Sequence, residues 1–317
     1  MLPDSGESRA LLHTVARLHY VRELSQVKIA RQLGLSTATI SRLLAKARSE
    51  GIVRIEVRDL NAPDDLADRI KSALNLRRVS VTELSAASLP GGLSVPLGAM
   101  IQAQGLTAGA VVAIGWGRAV CAVIEAGLPP LQGVHVVPAT GGLQQQAPHF
   151  QINEFVRMAA DQMGGLPHFI HAPYLPSAET LPLFLADPSI ASSVALWDRI
   201  DVAVMGVGQP PALTPPEASV ATASEHRLVT AAGDVIRHYF DAEGAIIDWE
   251  GESRMIAASA SQLRRAPLCI GVVASPAKAG AVIGAAHAGL INALVTDVQT
   301  AEAVLDLLAR RNGTPDT

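Results

Sequence analysis

Residues 26–51 read QVKIARQLGLSTATISRLLAKARSEG, and this stretch decides how the N-terminal part of the chain folds. Apolar side chains recur at helical spacing on both sides of Gly34, a residue that tolerates the positive φ of a tight turn. Ser36 is a good N-cap for the second of the two helices, which Ile40 and Leu43 would pack against the first. The pattern therefore predicts a helix-turn-helix.

The sequence on either side extends this unit. Apolar residues recur at helical spacing from Leu11 to Val21, which predicts a preceding helix, and Ser25 is suited to cap the helix that follows. After Gly51 the run IVRIEV, residues 52–57, alternates apolar and charged side chains as a half-buried strand does. This run predicts a wing, so we expect residues 1–58 to form a winged helix-turn-helix domain.

Charge is divided unevenly along the chain. Residues 1–58 carry 10 Lys and Arg against 5 Asp and Glu, whereas the remainder carries 15 against 24, within a total of -4. Affinity for nucleic acid comes first from neutralising phosphates. A basic head on an acidic body therefore predicts that only the head binds DNA.

The second helix of the motif has the character of a recognition helix. Short hydroxyls lie near its N-terminal end and cations follow them, which suits the major groove. Lys28 stands where an acidic residue would better oppose the helix dipole, and it is either a phosphate contact or a tolerated surface lysine. Ordinary helix packing with a solvated charged face is the alternative to DNA binding. The predicted DNA contacts are Gln26, Lys28, Ser36, Thr37, Thr39, Ser41, Arg42, Lys46 and Arg48.

The rest of the chain has the composition and order of an α/β domain. The 317 residues are 49% hydrophobic but only 3% aromatic, which favours a core of aliphatic side chains and about two domains. Residues 59–65 read as a linker, and a helix is expected over residues 66–74, a strand within 77–84 and a helix over 97–104. Five apolar runs follow, AVVAI, VHVVP, DVAVM, LCIGVV and NALVTD, mostly ending in glycine-rich turns before helical stretches. They predict a Rossmann-like, doubly wound parallel sheet over residues 66–317.

Four of these turns are suited to ligands. Loops at the carboxyl ends of parallel strands border the crevice of an open α/β sheet, and a helix N-terminus beyond them offers free N–H groups to an anion. Arg118 and Lys278 would add positive charge. A plain strand-to-helix connection remains the alternative for each turn. The residues concerned are Gly115, Trp116, Gly117, Arg118, Thr140, Gly141, Gly142, Gly206, Gly208 and Lys278.

No cofactor, metal site or membrane segment is predicted. The G-x-G-x-x-V at residues 115–120 lacks the third glycine of the dinucleotide fingerprint. Cys121 and Cys269 lie in apolar runs without metal-ligand spacing and predict a reducing compartment. The N-terminus lacks the pattern of a secretory signal. The uncharged residues 279–296 fit a buried helix followed by a strand, so we expect a cytoplasmic protein with no membrane partner.

The ordered motifs together resemble the SorC family of bacterial sugar-responsive transcriptional regulators. They are the head LSQVKIARQLGLSTATISRLLAKARSEGIVRIEV, then VVAIGWGRAV, VVPATGG, DVAVMGVG, YFDAEG and AKAGAVIGAAHAGLINALVTDVQTAEAVL. The resemblance implies a body similar to phosphosugar isomerases and glucosamine-6-phosphate deaminases that binds a phosphorylated sugar. It also implies operator DNA as partner, a homo-oligomer, namely a tetramer, and a place for Asp241 beside the ligand loops. Ser275, Pro276 and Ala277 precede Lys278 where the family often has a Gly-Gly pair.

Two other classes of protein compete with a regulator. A sugar-phosphate isomerase or deaminase with a DNA-binding head would need a base and an acid. Gln209, Pro210 and Pro211 follow Gly208 and supply neither, and no histidine is paired with a carboxylate at a recognisable catalytic spacing. The histidines concerned are His149, His168, His171, His226, His238 and His287. No catalytic residue is therefore predicted, and a body that only oligomerises is the third possibility.

Overall fold

The computed structural model describes residues 5–53, 63–88, 90–143, 151–213, 221–311 and 313. The chain divides into two compact units, Met1–Leu60 and Asn61–Thr317. Each unit has hydrophobic cores of its own, with Ile29 and Ile40 in the first and Val112 and Leu294 in the second.

The first unit is built from helices. Helix α1 spans Ser5–Ala16 and continues into a π-helical turn at Arg17–Val21. The helix-turn-helix follows as α2, Gln26–Leu33, and α3, Thr37–Ser49. The predicted motif and the predicted preceding helix are therefore confirmed.

Local chemistry sets both ends of this turn. The Ser25 side chain accepts a hydrogen bond from the Lys28 N–H at 3.4 Å and caps α2. Gly34 adopts φ +67° at the end of α2, in the left-handed region where a Cβ is disfavoured. Ser36 caps α3 by accepting a hydrogen bond from the Thr39 N–H at 3.1 Å.

A small core joins the three helices. Its buried members are Val15 from α1, Ile29 and Ala30 from α2, and Ile40 and Leu44 from α3. The prediction that Leu43 packs α3 was incomplete, because Leu43 is only half-buried whereas Leu44 is buried. Spacings of three and of four residues both follow one helix face, and the sequence pattern did not distinguish them.

The predicted wing lies mostly outside the described residues. Residues 54–57 of the IVRIEV run belong to the undescribed part of the chain. Ile52 and Val53 are half-buried beside the buried residues Leu12, Ala16 and Ala47, and the Val53 N–H donates to the Ala47 carbonyl oxygen at 3.1 Å. The wing therefore stays a prediction.

The second unit is organised by a parallel sheet of seven strands, in the order β1-β10-β9-β5-β2-β3-β4. A smaller antiparallel sheet has the order β6-β7-β8. The strands are β1 Arg78–Thr82, β2 Val111–Ile114, β3 His135–Pro138, β4 Leu166–Pro167, β5 Ile200–Gly206, β6 Gly233–Val235, β7 His238–Phe240, β8 Ile246–Ile247, β9 Leu268–Val273 and β10 Ala293–Asp297. The five predicted apolar runs are confirmed as β2, β3, β5, β9 and β10, and the predicted first strand as β1.

Helices cover both faces of the main sheet. The helices of the second unit are α4 Pro63–Ala73, α5 Ser94–Gln102, α6 Arg118–Ala126, α7 Ile152–Met163, α8 Leu181–Ala186, α9 Pro188–Ala195, α10 Ala223–His226, α11 Ala260–Arg265, α12 Ala279–His287 and α13 Val298–Arg311. Helix α4 begins three residues earlier than expected, inside the segment read as a linker, because proline is well tolerated in the first turn of a helix.

Side chains alternate between two cores across the main sheet. Val111 and Ala113 of β2 join the core that contains residues of α4, α12 and α13. Val112 and Ile114 join the core that contains residues of α5, α6 and α7. With helices on both faces, the sheet is doubly wound, as the sequence predicted.

Two features were not expected from the sequence. Strand β4 has only two residues and one of them is proline, so no apolar run marks it. The small sheet has strands of two or three residues, which is too short for a periodic signal. No described helix is both long enough and apolar enough to cross a membrane.

Candidate functional site

Strand order brings four loops together at one edge of the main sheet. Strand β2 lies next to β5, and from this pair the chain proceeds outward in opposite directions, through β3 to β4 and through β9 to β10. Open α/β sheets bind ligands at such a reversal, beyond the carboxyl ends of the strands. The loops after β2, β3, β5 and β9 border this crevice and carry most of the predicted effector residues.

Glycines allow the loops after β2 and β5 to approach each other. A Cβ atom on Gly206 would lie 2.7 Å from the carbonyl oxygen of Trp116, which is closer than a side chain can come. Gly117 has φ +124° and forms the N-cap of α6 without a side chain to cap the helix. The positive end of the α6 dipole therefore lies at the crevice, and the N-cap residue has no side chain that could bond to the N–H groups there.

The predicted cation Lys278 lies at this crevice. Its Nζ donates to the Val207 carbonyl oxygen at 2.6 Å, which places the half-buried ammonium beside the loop after β5. Burial lowers the pKa of Lys278, with Asp234 opposing and Arg118 adding to that change. Arg118 is exposed on the first turn of α6. The two predicted cations are therefore close enough to influence each other.

A buried acid that the sequence pattern did not indicate lies beside the same loop. The Gly208 N–H donates to the Asp234 carbonyl oxygen at 2.8 Å, and a Cβ on Gly208 would collide with the Asp234 carboxylate. Burial raises the pKa of Asp234, while Arg237 and then Lys278 act to lower it. Gly208 is thus required for close packing of the crevice wall.

Backbone hydrogen bonds to other segments hold the Thr140–Gly142 loop in place. Gly141 and Gly142 donate their N–H groups to the carbonyl oxygens of Ile256 and Ala172, each at 2.8 Å. Thr140 is fully buried and its hydroxyl donates to the Ile256 carbonyl oxygen at 3.3 Å. Both N–H groups are therefore already bonded within the protein, and the effector-binding role of this loop stays a prediction.

Two further predicted residues have partners within the protein. The Gly115 N–H donates to the Val204 carbonyl oxygen at 2.8 Å, and a Cβ on Gly115 would lie 2.8 Å from the Met205 sulfur. Asp241 Oδ1 accepts hydrogen bonds from the N–H groups of Glu243, at 3.0 Å, and Ala245, at 2.8 Å. Asp241 thereby stabilises the turn after β7.

An aromatic and charged cluster borders the loop after β2. The Arg237 guanidinium carbon lies 5.8 Å from the ring centroids of both Trp116 and Tyr174, which meet edge to face with their centroids 5.5 Å apart. Arg237 Nη1 donates to the Tyr239 hydroxyl at 3.0 Å and lies 3.3 Å from Glu225 Oε1. Of this cluster, only Trp116 was predicted from the sequence.

Most of the predicted DNA contacts are exposed on the surface of the helix-turn-helix. Of the predicted residues, Gln26 and Thr39 are half-buried and the others are exposed, namely Lys28, Ser36, Thr37, Ser41, Arg42, Lys46 and Arg48. Some have partners: Lys46 lies 3.6 Å from Glu50, and Arg48 Nη1 donates to the Tyr20 hydroxyl at 3.1 Å. Arg42 has neither kind of contact among the described residues. The DNA-contacting role of these residues stays a prediction.

Within the described residues His238 is paired with a carboxylate, which was not predicted from the sequence. His238 Nδ1 lies 2.7 Å from Glu252 Oε1, and His238 Nε2 lies 2.8 Å from the Ala258 carbonyl oxygen. Both ring nitrogens are bonded within the protein, so this imidazole has no free nitrogen to act as a base. His135 and His168 contact each other at 2.7 Å, and burial lowers the pKa of His168. Among the described residues no group of three potential ligands could hold a metal ion.

A helix-turn-helix with an exposed cationic helix, joined in one chain to an α/β unit with a ligand crevice, defines the class of effector-responsive DNA-binding regulators. Residues 58–306 match the family described as "Putative sugar-binding domain". The chain therefore belongs to this family and to the SorC regulators, and its function is sugar-modulated regulation of transcription.

Relatives of known name support this assignment. The chain is 28% identical to the sorbitol operon regulator of Klebsiella pneumoniae, over 95% of this chain and 99% of that one. It is 26% identical to the deoxyribonucleoside regulator of Bacillus subtilis (strain 168), over 95% and 98%. The crystal structure of the full-length sorbitol operon regulator SorC from K. pneumoniae is similar with a TM-score of 0.70, over 95% of this chain and 100% of that chain.

Proposed function

We propose that this regulator binds the operator of a carbohydrate-metabolism operon, and that a phosphorylated sugar or polyol in the crevice changes that binding. The main support is the convergence of Lys278, Arg118 and the N-terminus of α6 at the reversal of strand order. An ammonium, a guanidinium and a helix N-terminus all favour an anion. The names of the two relatives, which refer to sorbitol and to deoxyribonucleosides, fit a sugar or polyol as the rest of the ligand.

A screen by thermal unfolding tests this proposal. The full chain would be heated with a panel of phosphorylated sugars and polyols, and with the same compounds without phosphate. A ligand that binds only the folded state raises stability by about 2.7 kcal/mol at a concentration of 100 Kd. We expect at least one phosphorylated compound to raise the unfolding temperature and to alter the mobility of a protein–DNA complex. If no compound of the panel has these effects, the result would favour a body that only oligomerises.

Loss of either crevice cation is expected to weaken effector binding. Lys278→Ala or Arg118→Ala should raise the Kd of the effector by roughly tenfold or more, since a charged hydrogen bond contributes about 1.5–3 kcal/mol. Isothermal titration gives the Kd directly. Lys71→Ala, at an exposed lysine of α4, is the matched control and should bind as the wild type does. Unchanged effector affinity in both crevice variants would show that the phosphate binds elsewhere.

Arg42 and Lys46 of the recognition helix are expected to contribute to DNA binding in different ways. Arg42→Ala should reduce discrimination among DNA sequences, because a guanidinium can hydrogen-bond to a base edge. The binding free energy at the best site should weaken by about 1–3 kcal/mol. Lys46→Ala should weaken binding to all sequences and lessen the dependence on salt, because it removes a phosphate contact. Selection from random duplexes followed by mobility shift at several salt concentrations measures both. Equal loss of affinity across all sequences for Arg42→Ala would contradict the assignment.

We propose that the body has no catalytic activity. Gln209 follows the β5 loop and donates to the Ala277 carbonyl oxygen at 3.3 Å, which is a structural contact. His238, the histidine with a carboxylate partner, has both nitrogens occupied. The alternative is a sugar-phosphate isomerase or deaminase carrying a DNA-binding head. Turnover of a sugar phosphate by the purified chain, lost in His238→Gln, would favour that alternative.

The assembly and location of the protein are also proposals. We infer a homo-oligomer, namely a tetramer, because paired heads suit operators with repeated half-sites. We place the protein in the cytoplasm because its proposed partner is operator DNA. Light scattering of the full chain with and without a palindromic duplex tests the assembly.

A further inference from the structure

Arg237 occupies an unusual position for a large side chain. It lies in the turn between β6 and β7, where Ile236 has φ +44° and Arg237 has φ +70°. Residues other than glycine are strained in this left-handed region and persist only where their surroundings hold them. Arg237 is also only 8% exposed. The fold therefore keeps a buried arginine where a glycine would be less strained.

Contacts from six residues hold Arg237 in place. Its guanidinium lies over the rings of both Trp116 and Tyr174, which contact each other edge to face, and bonds to Tyr239, while Glu225 lies within ion-pair distance. Its backbone is held as well, because its N–H donates to Asp234 Oδ2 at 2.9 Å and its carbonyl oxygen accepts from the Trp249 indole at 3.2 Å.

The charge of Arg237 is retained but balanced. Burial acts to lower the pKa of Arg237, whereas Tyr239, Asp234 and Glu225 outweigh burial and raise it. Glu225 is fully buried and Asp234 nearly so. Because two acids beside Arg237 balance its charge, it offers a phosphate less positive charge than Lys278 or the exposed Arg118 does. Its action on a ligand must pass through the side chains that it contacts.

Trp116 is the contact that leads to the crevice. It stands directly before Gly117, the N-cap of α6, and its carbonyl oxygen is the atom that Gly206 must accommodate. The position of the Trp116 ring therefore affects the start of α6 and the backbone from which Arg118 extends. We propose that Arg237 is a positioning residue of the effector site, which clamps Trp116 against Tyr174 and so holds the Gly115–Arg118 loop in the shape that binds phosphate. This inference rests on the proposed function.

The substitution Arg237→Lys tests the proposal. Lysine keeps the positive charge but lacks the planar group that lies over both rings. Titration of the full chain with inorganic phosphate, at constant ionic strength, should give a Kd about tenfold higher than for the wild type. Trp116 should become more accessible to acrylamide quenching before any ligand is added. Arg227→Lys, at an exposed arginine beside α10, is the matched control and should leave both measurements unchanged.

The outcomes separate this inference from the proposed function. A wild type that does not bind phosphate overturns both. A wild type that binds, with an unchanged Kd in Arg237→Lys, overturns the positioning role alone, even if the variant unfolds at a lower temperature. If Arg237→Lys does not fold, Tyr174→Leu removes the ring against which Trp116 packs and should raise the Kd by several-fold. An unchanged Kd in Tyr174→Leu would likewise overturn the positioning role.

Discussion

Replacing Glu225 with alanine is expected to lower the free energy of unfolding of the second unit by about 3–5 kcal/mol. The carboxylate is fully buried, accepts from the Tyr239 hydroxyl at 2.7 Å and from the Thr222 N–H at 2.6 Å, and lies 3.3 Å from Arg237. Its loss leaves a buried guanidinium with less counter-charge, and burial of an unpaired charge is expensive.

Urea unfolding followed by tryptophan fluorescence measures this loss. All three tryptophans, Trp116, Trp197 and Trp249, belong to the second unit, so the signal reports that unit alone. Glu250→Ala removes an exposed carboxylate from the same region and should change stability by no more than about 0.5 kcal/mol. A loss below about 1 kcal/mol in Glu225→Ala would mean that water or rearranged side chains satisfy Arg237.

Gly206→Ala is expected to reduce effector affinity on the order of a hundredfold. The new Cβ would lie 2.7 Å from the Trp116 carbonyl oxygen, a backbone atom that can only move with its loop. Separation of the loops after β2 and β5 moves Arg118 away from Lys278, so two charged hydrogen bonds weaken together. The loss should therefore exceed that of either single cation variant.

A glycine of α12 provides the control for this variant. A Cβ on Gly280 would meet only Leu307, at an ordinary contact distance of 3.8 Å, so Gly280→Ala should leave binding unchanged and raise stability by up to about 1 kcal/mol. Isothermal titration with the effector found in the screen compares both variants with the wild type. If Gly206→Ala binds the effector with the same affinity as the wild type, the ligand does not bridge these two loops.

The sequence predicted what local rules determine. Gly34 and Ser36 act within a few residues of themselves, so the turn of the DNA-binding motif could be read directly. The aliphatic runs predicted the buried strands because a parallel sheet covered on both faces needs them. Arg118 and Lys278 were identified because each follows such a run, although nothing local shows that they border the same crevice.

The sequence did not predict contacts between distant segments. Arg237 meets Trp116, Tyr174 and Glu225 only because the small sheet folds against the main one, and its strands of two or three residues leave no periodic signal. Gly141 was predicted as an effector residue, whereas its single N–H donates to a segment more than 100 residues later. Short strands and long-range backbone bonds limit what pattern analysis can reach.

The pairing of β1 with β10 has a consequence for synthesis of the chain. Arg78 pairs with Ala293, so β1 has no neighbour in the main sheet until the ribosome has added roughly 200 more residues. At about 5–20 residues per second this interval lasts on the order of 10–40 s. The first unit completes its described core by residue 53 and can fold early. During translation the DNA-binding unit is therefore formed before the sheet that would regulate it.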